Sequence, residues 1–209
     1  LQKIYDGFQE FLYLKNTDGI QVMLATVLAN AIEGDPIWMF LVAPPGSAKT
    51  EIVQSLGKCE KVYAISSLTP HSLISGASWT NGGDPSIIPK LNNKVLGIKD
   101  FTTIMELREN ERDEIFGILR DSYDGHCTKV FGNGIKRNYE SKFGIIAGVT
   151  PVIYHLDAQN QSLGERFLKF SIETNLKHKS EDEIIDRAIC NINKEKDLTP
   201  EKLQTLENF

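Results

Sequence analysis

The sequence has 209 residues, 41% of them hydrophobic and 24% charged, which suits one large globular domain, or one domain and part of a second. No apolar run reaches the roughly 18 residues needed to span a bilayer, and residues 1–6 do not form a signal peptide. The net charge of -5 excludes broad electrostatic coating of nucleic acid, although it leaves room for a local basic surface.

The first quarter of the chain predicts two helices, a strand and the start of a third helix. Apolar residues recur at helical spacing in 1–14 and in 18–32, where Asp18 can cap the second helix and the Gly-Asp-Pro sequence after it ends the helix. Residues 38–42 are continuously apolar, as expected of a strand, and a helical pattern begins at Lys49 and ends at about residue 56.

Strands and helices alternate through the rest of the chain, which predicts an α/β fold with a mostly parallel sheet. Asn-Gly between two alternating segments predicts a hairpin. The connection 66–86 is long and polar, which is typical of a functional or disordered segment. We expect strands at 61–65, 93–101, 143–149 and 167–172, the hairpin at 127–139, helices at 103–123 and 180–191, a helix or irregular turn at 154–165, and a last helix from 199.

The cysteines indicate a reducing compartment. Cys59, Cys127 and Cys190 are scattered without paired spacing, so we expect a cytoplasmic protein. His126 precedes Cys127, but no second Cys/His pair follows at the spacing of a zinc site, which disfavours a metal site there. Because the chain begins with Leu1 and not with Met, we also expect a piece of a longer protein.

Segment 43–50, with the sequence APPGSAKT, has the composition of a phosphate-binding loop. Such a loop combines small residues, converging backbone N–H groups and a helix N-terminus. Lys49 is expected to reach the β- and γ-phosphates, and Thr50 to bind Mg²⁺. The usual G-x-x-x-x-G-K-[ST] pattern has glycine where this chain has Ala43 and Ala48, and the Cβ of Ala48 narrows the approach to phosphate. The alternative is a strand-to-helix turn that binds no nucleotide.

Asp100, at the end of the predicted strand 93–101, is the candidate for the acidic group that nucleotide hydrolysis needs. An Asp-Glu pair is usual here, and two placements are open. Either Lys99 and Asp100 fill the two positions, so that Asp100 is the base, or Asp100 is the metal-side acid and Phe101 stands where the base should be. A carboxylate that caps the following helix is the structural alternative.

Two more polar residues adjoin apolar strands. Thr150 follows the strand 143–149, where its hydroxyl would face the γ-phosphate, or would instead cap the turn before Pro151. Arg166 precedes the strand 167–172, and we expect it at the rim of the sheet's ligand end, where it would complete a neighbouring subunit's site. A surface salt bridge is the alternative for Arg166.

Taken in order, these segments resemble the motifs of the AAA+ ATPases. Residues 43–50 resemble Walker A, 96–101 resemble Walker B, 146–150 resemble sensor 1, and 163–167 resemble the arginine-finger region. The resemblance covers roughly 18–174. It implies a P-loop NTPase fold, a three-layer sandwich with a mostly parallel five-stranded sheet, and ATP and Mg²⁺ as cofactors.

The resemblance also implies a role for each motif residue. Asp100, Thr150 and Arg166 would be catalytic, and Thr50 and Asp100 would hold Mg²⁺. ATP or ADP would be bound by seven consecutive residues: Pro45, Gly46, Ser47, Ala48, Lys49, Thr50 and Glu51.

The hairpin at 127–139 narrows the resemblance. It falls where superfamily-three helicases, minichromosome-maintenance helicases and bacterial enhancer-binding proteins carry a pre-sensor-1 hairpin. In the helicases this hairpin points into the pore of a hexameric ring, and its basic residues track DNA. The basic residues here are Lys129, Lys136 and Arg137. A solvated hairpin without DNA contact is the alternative.

The resemblance as a whole implies an ATPase domain that works in a ring-shaped homo-oligomer. Its units would be a helical segment at 1–17, an ATP-binding core at 18–176 and the start of a helical lid at 177–209. The leading hypothesis is ATP-driven DNA unwinding or translocation, of the kind found in phage or mobile-element replication. The alternatives are protein remodelling and a nucleotide switch that hardly turns over, neither with DNA contact. None of these functions calls for a membrane.

Overall fold

The computed structural model describes residues 1–12, 14, 16–77, 84–156, 166–173 and 185–186. Most of the predicted segment 154–165, most of the predicted helix at 180–191, the predicted helix from 199 and nearly all of the expected lid lie outside these residues. No helix in the described ranges is long and apolar enough to cross a membrane.

The order of elements follows the predicted alternation of strands and helices. The helices are α1 (Gln2–Phe11), α2 (Asp18–Ala29), α3 (Lys49–Gln54), α4 (Pro70–Leu73), α5 (Thr102–Met105), α6 (Glu109–Tyr123) and α7 (Ile153–Leu156). The strands are β1 (Trp38–Val42), β2 (Val62–Ile65), β3 (Val95–Ile98), β4 (His126–Val130), β5 (Lys136–Glu140), β6 (Gly144–Val149) and β7 (Phe167–Ser171). A short 3-10 helix, Ser55–Lys58, continues α3, and another spans Ile88–Lys90.

Five strands form one sheet in the order β2-β3-β6-β1-β7, and every pair in it is parallel. The other two strands, β4 and β5, form the antiparallel hairpin. The predicted α/β class, with a parallel five-stranded sheet, is therefore confirmed.

Helices cover both faces of the sheet because β1 is apolar on both sides. Successive strand residues point to opposite faces. Trp38 and Phe40 accordingly join a core cluster with residues of α4, α5 and α6, whereas Met39 and Leu41 join a second cluster with residues of α1, α2 and α3. The three layers place the central strands β1 and β6 in the interior.

Aromatic packing fixes β7 against β1. The fully buried indole of Trp38 donates a hydrogen bond to the carbonyl of Phe143 at 2.8 Å. The rings of Phe40 and Phe167 stack with centroids 3.8 Å apart, and Phe101 packs against both.

The predicted helix at 103–123 is instead two helices, α5 and α6. The first helix ends at Met105, and Arg108, with φ -57° and ψ 144°, leaves the helical conformation directly before the second begins. Glu109 and Glu111 then lie in the first turn of α6, where negative charge favours the helix dipole. The apolar spacing runs through the break, which is why the sequence pattern predicted one helix.

A smaller expectation is also wrong. Asp18 is the first residue of α2 and not its cap, which is Thr17. The connection 66–86 carries more core than its polar composition suggested, because Leu68, Leu73 and Ile74 are buried in it.

Candidate functional site

The strands β1 and β6 are neighbours, but the chain leaves them in opposite directions. From β1 it runs to β2 at one edge of the sheet, and from β6 it runs to β7 on the far side of β1. Such a reversal opens a crevice at the carboxyl ends of parallel strands, and ligands bind in crevices of this kind. We call residues 43–50, Asp100 and Thr150, which lie at this crevice, the carboxyl-end site.

The register of the sheet brings the parts of this site together. Val42 pairs with Val149, so segment 43–50 and Thr150 begin at the same level of the sheet. The backbone N–H of Ala43 donates to the carbonyl of Val149 at 3.1 Å, which extends the pairing by one residue.

The loop itself turns through two left-handed residues. Gly46 has φ 76°, which glycine adopts freely, and Ala48 has φ 61°, which costs an alanine about 1 kcal/mol. Among the described residues, none accepts a hydrogen bond from the backbone N–H of Ala48, Lys49 or Thr50. These donors stand at the start of α3, as helix N-terminal N–H groups do. The loop therefore presents backbone donors in a conformation held at some strain.

Lys49 is the buried cation of the carboxyl-end site. Its side chain is only 6% exposed, and its ammonium donates to the carbonyl of Pro44 at 3.1 Å. Burial lowers the pKa of Lys49, and the nearby Asp100 carboxylate opposes that shift. The hydroxyl of Ser47 donates to the same Pro44 carbonyl at 2.6 Å, and Thr50 is exposed in the first turn of α3. Lys49 is thus a desolvated charge with one carboxylate nearby.

Gly148 lets the backbone of β6 approach the residues that follow β3. A Cβ at this position would lie 2.6 Å from the carbonyl oxygen of Lys99 and 3.6 Å from the side-chain stem of Lys49. The carbonyl of Gly148 also accepts a hydrogen bond from the N–H of Phe101 at 2.8 Å. Sequence reasoning missed this residue, although a glycine inside a buried strand is itself a sign of close backbone approach.

Asp100 and Thr150 are joined by a residue that the sequence did not single out. The Asp100 carboxylate accepts a hydrogen bond from the N–H of Thr102 at 2.9 Å. The Thr102 hydroxyl donates to the Thr150 hydroxyl at 3.3 Å and accepts from the Thr150 N–H at 3.1 Å. The hydrogen bond to Asp100 also satisfies an N–H group in the first turn of α5, as the structural alternative for Asp100 expects. The electrostatic interaction between Asp100 and Lys49 is separate from this helix contact.

Phe101 is fully buried and packs against Phe40, Phe116 and Phe167. Its ring therefore belongs to the core beneath the sheet and does not face the crevice. Lys99 is half-buried, and its backbone N–H donates to the carbonyl of Ile65 at 3.3 Å.

Arg166 lies at the opposite end of the sheet. Phe167 pairs with Trp38 at the beginning of β1, so Arg166 stands at the amino ends of the parallel strands. Its guanidinium is 3.8 Å from the Asp124 carboxylate and lies over the ring of Tyr123. The expectation that Arg166 would lie at the rim of the ligand end is wrong, because a residue that precedes a parallel strand lies at its amino end.

The three basic residues of the hairpin differ in their surroundings. Lys129 is paired with Glu114 of α6 and lies 5.1 Å from the centroid of the Phe131 ring. Lys136 is exposed. Arg137 donates from Nε to the carbonyl of Ser75 at 3.2 Å and from its second terminal nitrogen to that of Ala77 at 2.9 Å. Arg137 thus holds the hairpin to the connection between β2 and β3.

Further contacts join the hairpin to the same connection between β2 and β3. We call the contacts between the hairpin and residues 75–77 and 84–86 the hairpin seam. Asn133 donates to the carbonyl of Gly76 at 2.8 Å, and the Tyr139 hydroxyl donates to the Asp84 carboxylate and lies 3.1 Å from the hydroxyl oxygen of Ser86. A Cβ on Gly76 would lie 2.5 Å from the Phe131 ring.

Two titratable groups of the hairpin seam are shifted together. Burial raises the pKa of Asp84, but hydrogen bonds from Ser86 and Tyr139, with the charge of Arg137, outweigh it and leave that pKa lowered. Burial and the hydrogen bond to Asp84 raise the pKa of Tyr139. The shifts favour a charged Asp84 and a neutral Tyr139, the states in which this hydrogen bond forms.

Comparisons of the chain with protein-family models and with curated proteins gave no match. In the ranges that the structure describes, no group of three or more His, Cys, Asp or Glu side chains is placed to hold a metal ion. The case for a function rests on the geometry of the carboxyl-end site.

Proposed function

We propose that this chain is an AAA+-type domain that binds ATP with Mg²⁺ and hydrolyses it, working in a ring of identical subunits. One observation carries the proposal: Lys49, a buried lysine, lies beside Asp100 at the crevice between β1 and β6, at the end of a loop whose last N–H groups have no acceptor among the described residues. A desolvated ammonium that has one carboxylate nearby within the described part of the chain is suited to a further anion, and a phosphate group is such an anion.

The residues present fit a nucleotide with its metal ion. The N–H groups of Ala48, Lys49 and Thr50 would donate to phosphate oxygens. The other residues expected to contact the nucleotide are Pro45, Gly46 and Ser47 in the loop and Glu51 in the first turn of α3. Mg²⁺ is commonly bound through one or two protein oxygens together with substrate phosphates. Of the two residues expected to hold it, Thr50 would bind it directly and Asp100 would do so only in the metal-side placement; when bound, it would neutralise charge on the phosphates.

The burial of Phe101 supports one of the two placements of Asp100. If Asp100 were the metal-side acid, the base position would fall on a ring packed in the core. We therefore place Asp100 beside the attacking water, whose proton its carboxylate would accept as ADP leaves, and Lys99 in the metal-side position. Thr150 would donate to an oxygen of the γ-phosphate.

The position of Arg166 limits which site this residue could complete. Because Arg166 stands at the amino end of the sheet, it cannot reach the carboxyl-end site of its own subunit. We propose that it completes the site of the next subunit in the ring, where its charge would stabilise the transition state.

The ATP-dependent activity has two candidates, one with DNA contact and one without. The position of the hairpin before β6 supports DNA unwinding or translocation, with Lys136 as its exposed basic residue. The contacts of Lys129 with Glu114, and of Arg137 with Ser75 and Ala77, favour the second candidate, protein remodelling or a nucleotide switch without DNA contact.

The test of nucleotide binding compares two lysine variants. Lys49→Met should weaken binding of Mg²⁺-ATP by at least about 100-fold, since a charge-assisted contact to phosphate is removed from a desolvated site. Lys61→Met is the matched control, because Lys61 is exposed and precedes β2 at the other end of the sheet, and it should bind as the wild type does. Isothermal titration calorimetry measures both affinities. Equal affinity of the wild type and Lys49→Met would overturn the proposal.

A further inference from the structure

Thr102 contacts both polar groups that are proposed to face the reaction, although it was not among the predicted site residues. It is the first residue of α5, and its side chain is 8% exposed. Its N–H donates to the Asp100 carboxylate, and its hydroxyl makes two hydrogen bonds with Thr150. One buried residue therefore connects the end of β3 with the end of β6.

The directions of these hydrogen bonds set the polarity of Thr150. The Thr102 hydroxyl accepts from the Thr150 N–H and donates its own proton to the Thr150 hydroxyl oxygen. The proton of the Thr150 hydroxyl is consequently not used by Thr102 and remains available for donation. A hydroxyl held in this way is suited to an anionic oxygen.

The same residue orients Asp100. The N–H of Thr102 binds one carboxylate oxygen at 2.9 Å, which fixes the direction of the carboxylate relative to α5. Because the hydroxyl of Thr102 fixes Thr150, a change in Thr102 alters the separation of the two groups.

We propose that Thr102 is a positioning residue that sets the mutual placement of Asp100 and Thr150, so that the carboxylate beside the water and the donor to the γ-phosphate act as a unit. This inference rests on the proposed ATPase function. Thr102 acts through its two neighbours and does not itself contact the nucleotide.

The test uses a pair of substitutions that separate the hydroxyl of Thr102 from its shape. Thr102→Val keeps the volume and the backbone N–H, whereas Thr102→Ser keeps the hydroxyl. In the 209-residue chain, Thr102→Val should lower kcat for ATP by about 10- to 100-fold while the affinity for ATP changes by less than about twofold. Thr102→Ser should restore most of the rate.

The neighbouring Thr103 provides the matched control. Thr103 is exposed, and its hydroxyl donates to the backbone carbonyl of Asp100 and not to a site side chain. Thr103→Val should therefore leave kcat within about twofold of the wild type. Equal rates for Thr102→Val and Thr103→Val would overturn the proposal, as would a Thr102→Val effect that multiplies in full with that of Thr150→Val.

A readout without nucleotide keeps this inference distinct from the proposed function. The Thr150 N–H loses its acceptor in Thr102→Val, so its amide hydrogen exchange should accelerate by about tenfold, and Thr102→Ser should retain the wild-type rate. If the wild type neither binds nor hydrolyses ATP, the proposed function fails, and the exchange rate still decides whether Thr102 holds Thr150. Unchanged exchange in Thr102→Val would show that it does not.

Discussion

The carboxyl-end site and the hairpin seam are both polar, but they use their polar groups in opposite ways. In the hairpin seam, Arg137, Asn133 and Tyr139 bind carbonyl or carboxylate oxygens of the same chain. In the carboxyl-end site, the donors at the start of α3 have no described acceptor, and Lys49 is buried beside a single carboxylate.

This difference separates a region whose polar groups are paired within the chain from one whose donors are suited to a ligand. Buried polar groups are normally paired, so groups left unpaired in a crevice are suited to an external partner. Charged residues that are already paired inside the chain stabilise the fold and have fewer groups left to bind a ligand. Substitutions in either region test this difference.

The largest effect is expected for Gly148→Ala. The new Cβ would meet the backbone carbonyl oxygen of Lys99, which follows β3, so the backbones of Lys99 and β6 must separate or the variant must unfold in part. We expect a loss of about 3 kcal/mol in the free energy of unfolding, measured in urea, together with weaker ATP binding.

Gly117→Ala is the control for this substitution. Gly117 lies in α6 with nothing within 4 Å of a built Cβ, so alanine should stabilise the helix by about 0.5–1 kcal/mol. A Gly148→Ala variant as stable as the wild type would mean that the close approach of β6 to Lys99 is not needed.

A smaller effect is expected at the hairpin seam. Arg137→Met leaves the carbonyls of Ser75 and Ala77 without their charged donor and should lower the free energy of unfolding by about 1.5–3 kcal/mol. Lys136→Met, on the exposed side of the same strand, should change it by less than about 0.5 kcal/mol. Urea unfolding of the two variants measures the difference, and equal stabilities would contradict a structural role for Arg137.

The Arg137→Met and Lys136→Met variants also test whether the hairpin binds DNA. Because Arg137→Met perturbs the fold, a loss of DNA affinity in that variant alone carries no weight, and Lys136→Met is the informative change. If the hairpin tracks DNA, Lys136→Met should weaken binding at low salt and reduce its salt dependence by about one counterion. Wild-type chain without salt-sensitive DNA affinity would favour protein remodelling or a nucleotide switch.

The fold was predictable because local patterns specify it. The continuous apolar segments at β1 and β6 and the Asn-Gly turn of the hairpin are visible without tertiary information. The same holds for the loop at 43–50, since its small residues stand between a strand and a helix. The position of Arg166 was also within reach, because a residue that precedes a parallel strand must lie at the amino end of the sheet.

The remaining features depend on contacts between distant residues. Thr102 and Thr150 are 48 positions apart, and Arg137 and Ser75 are 62 apart, so no periodicity records either pair. The break between α5 and α6 is hidden for another reason: Leu107 continues the apolar spacing while Arg108 leaves the helical conformation. Sequence patterns report which face is buried and not which side chains meet.

The smallest expected effect concerns Lys49 in the absence of nucleotide. Burial lowers the pKa of Lys49 in the folded chain, with Asp100 in opposition, whereas the pKa of an unfolded lysine is about 10.4. Below the folded pKa the lysine is charged in both states, and its burial costs folding free energy. As the pH rises from the folded pKa towards about 10.4, the folded state releases its proton first, so the stability of the wild type rises relative to a variant without the ammonium.

Lys49→Met should therefore be more stable than the wild type at pH 7, and this difference should shrink as the pH rises towards the unfolded pKa of about 10.4. Urea unfolding at several pH values measures it, and Lys61→Met should stay within about 0.5 kcal/mol of the wild type throughout. Such a result would place the cost of the desolvated charge in the carboxyl-end site, where a bound phosphate would offset it. A Lys49→Met variant less stable than the wild type at pH 7 would mean that the contacts of the ammonium with Pro44 and Asp100 outweigh its desolvation, and the two polar regions would then be alike.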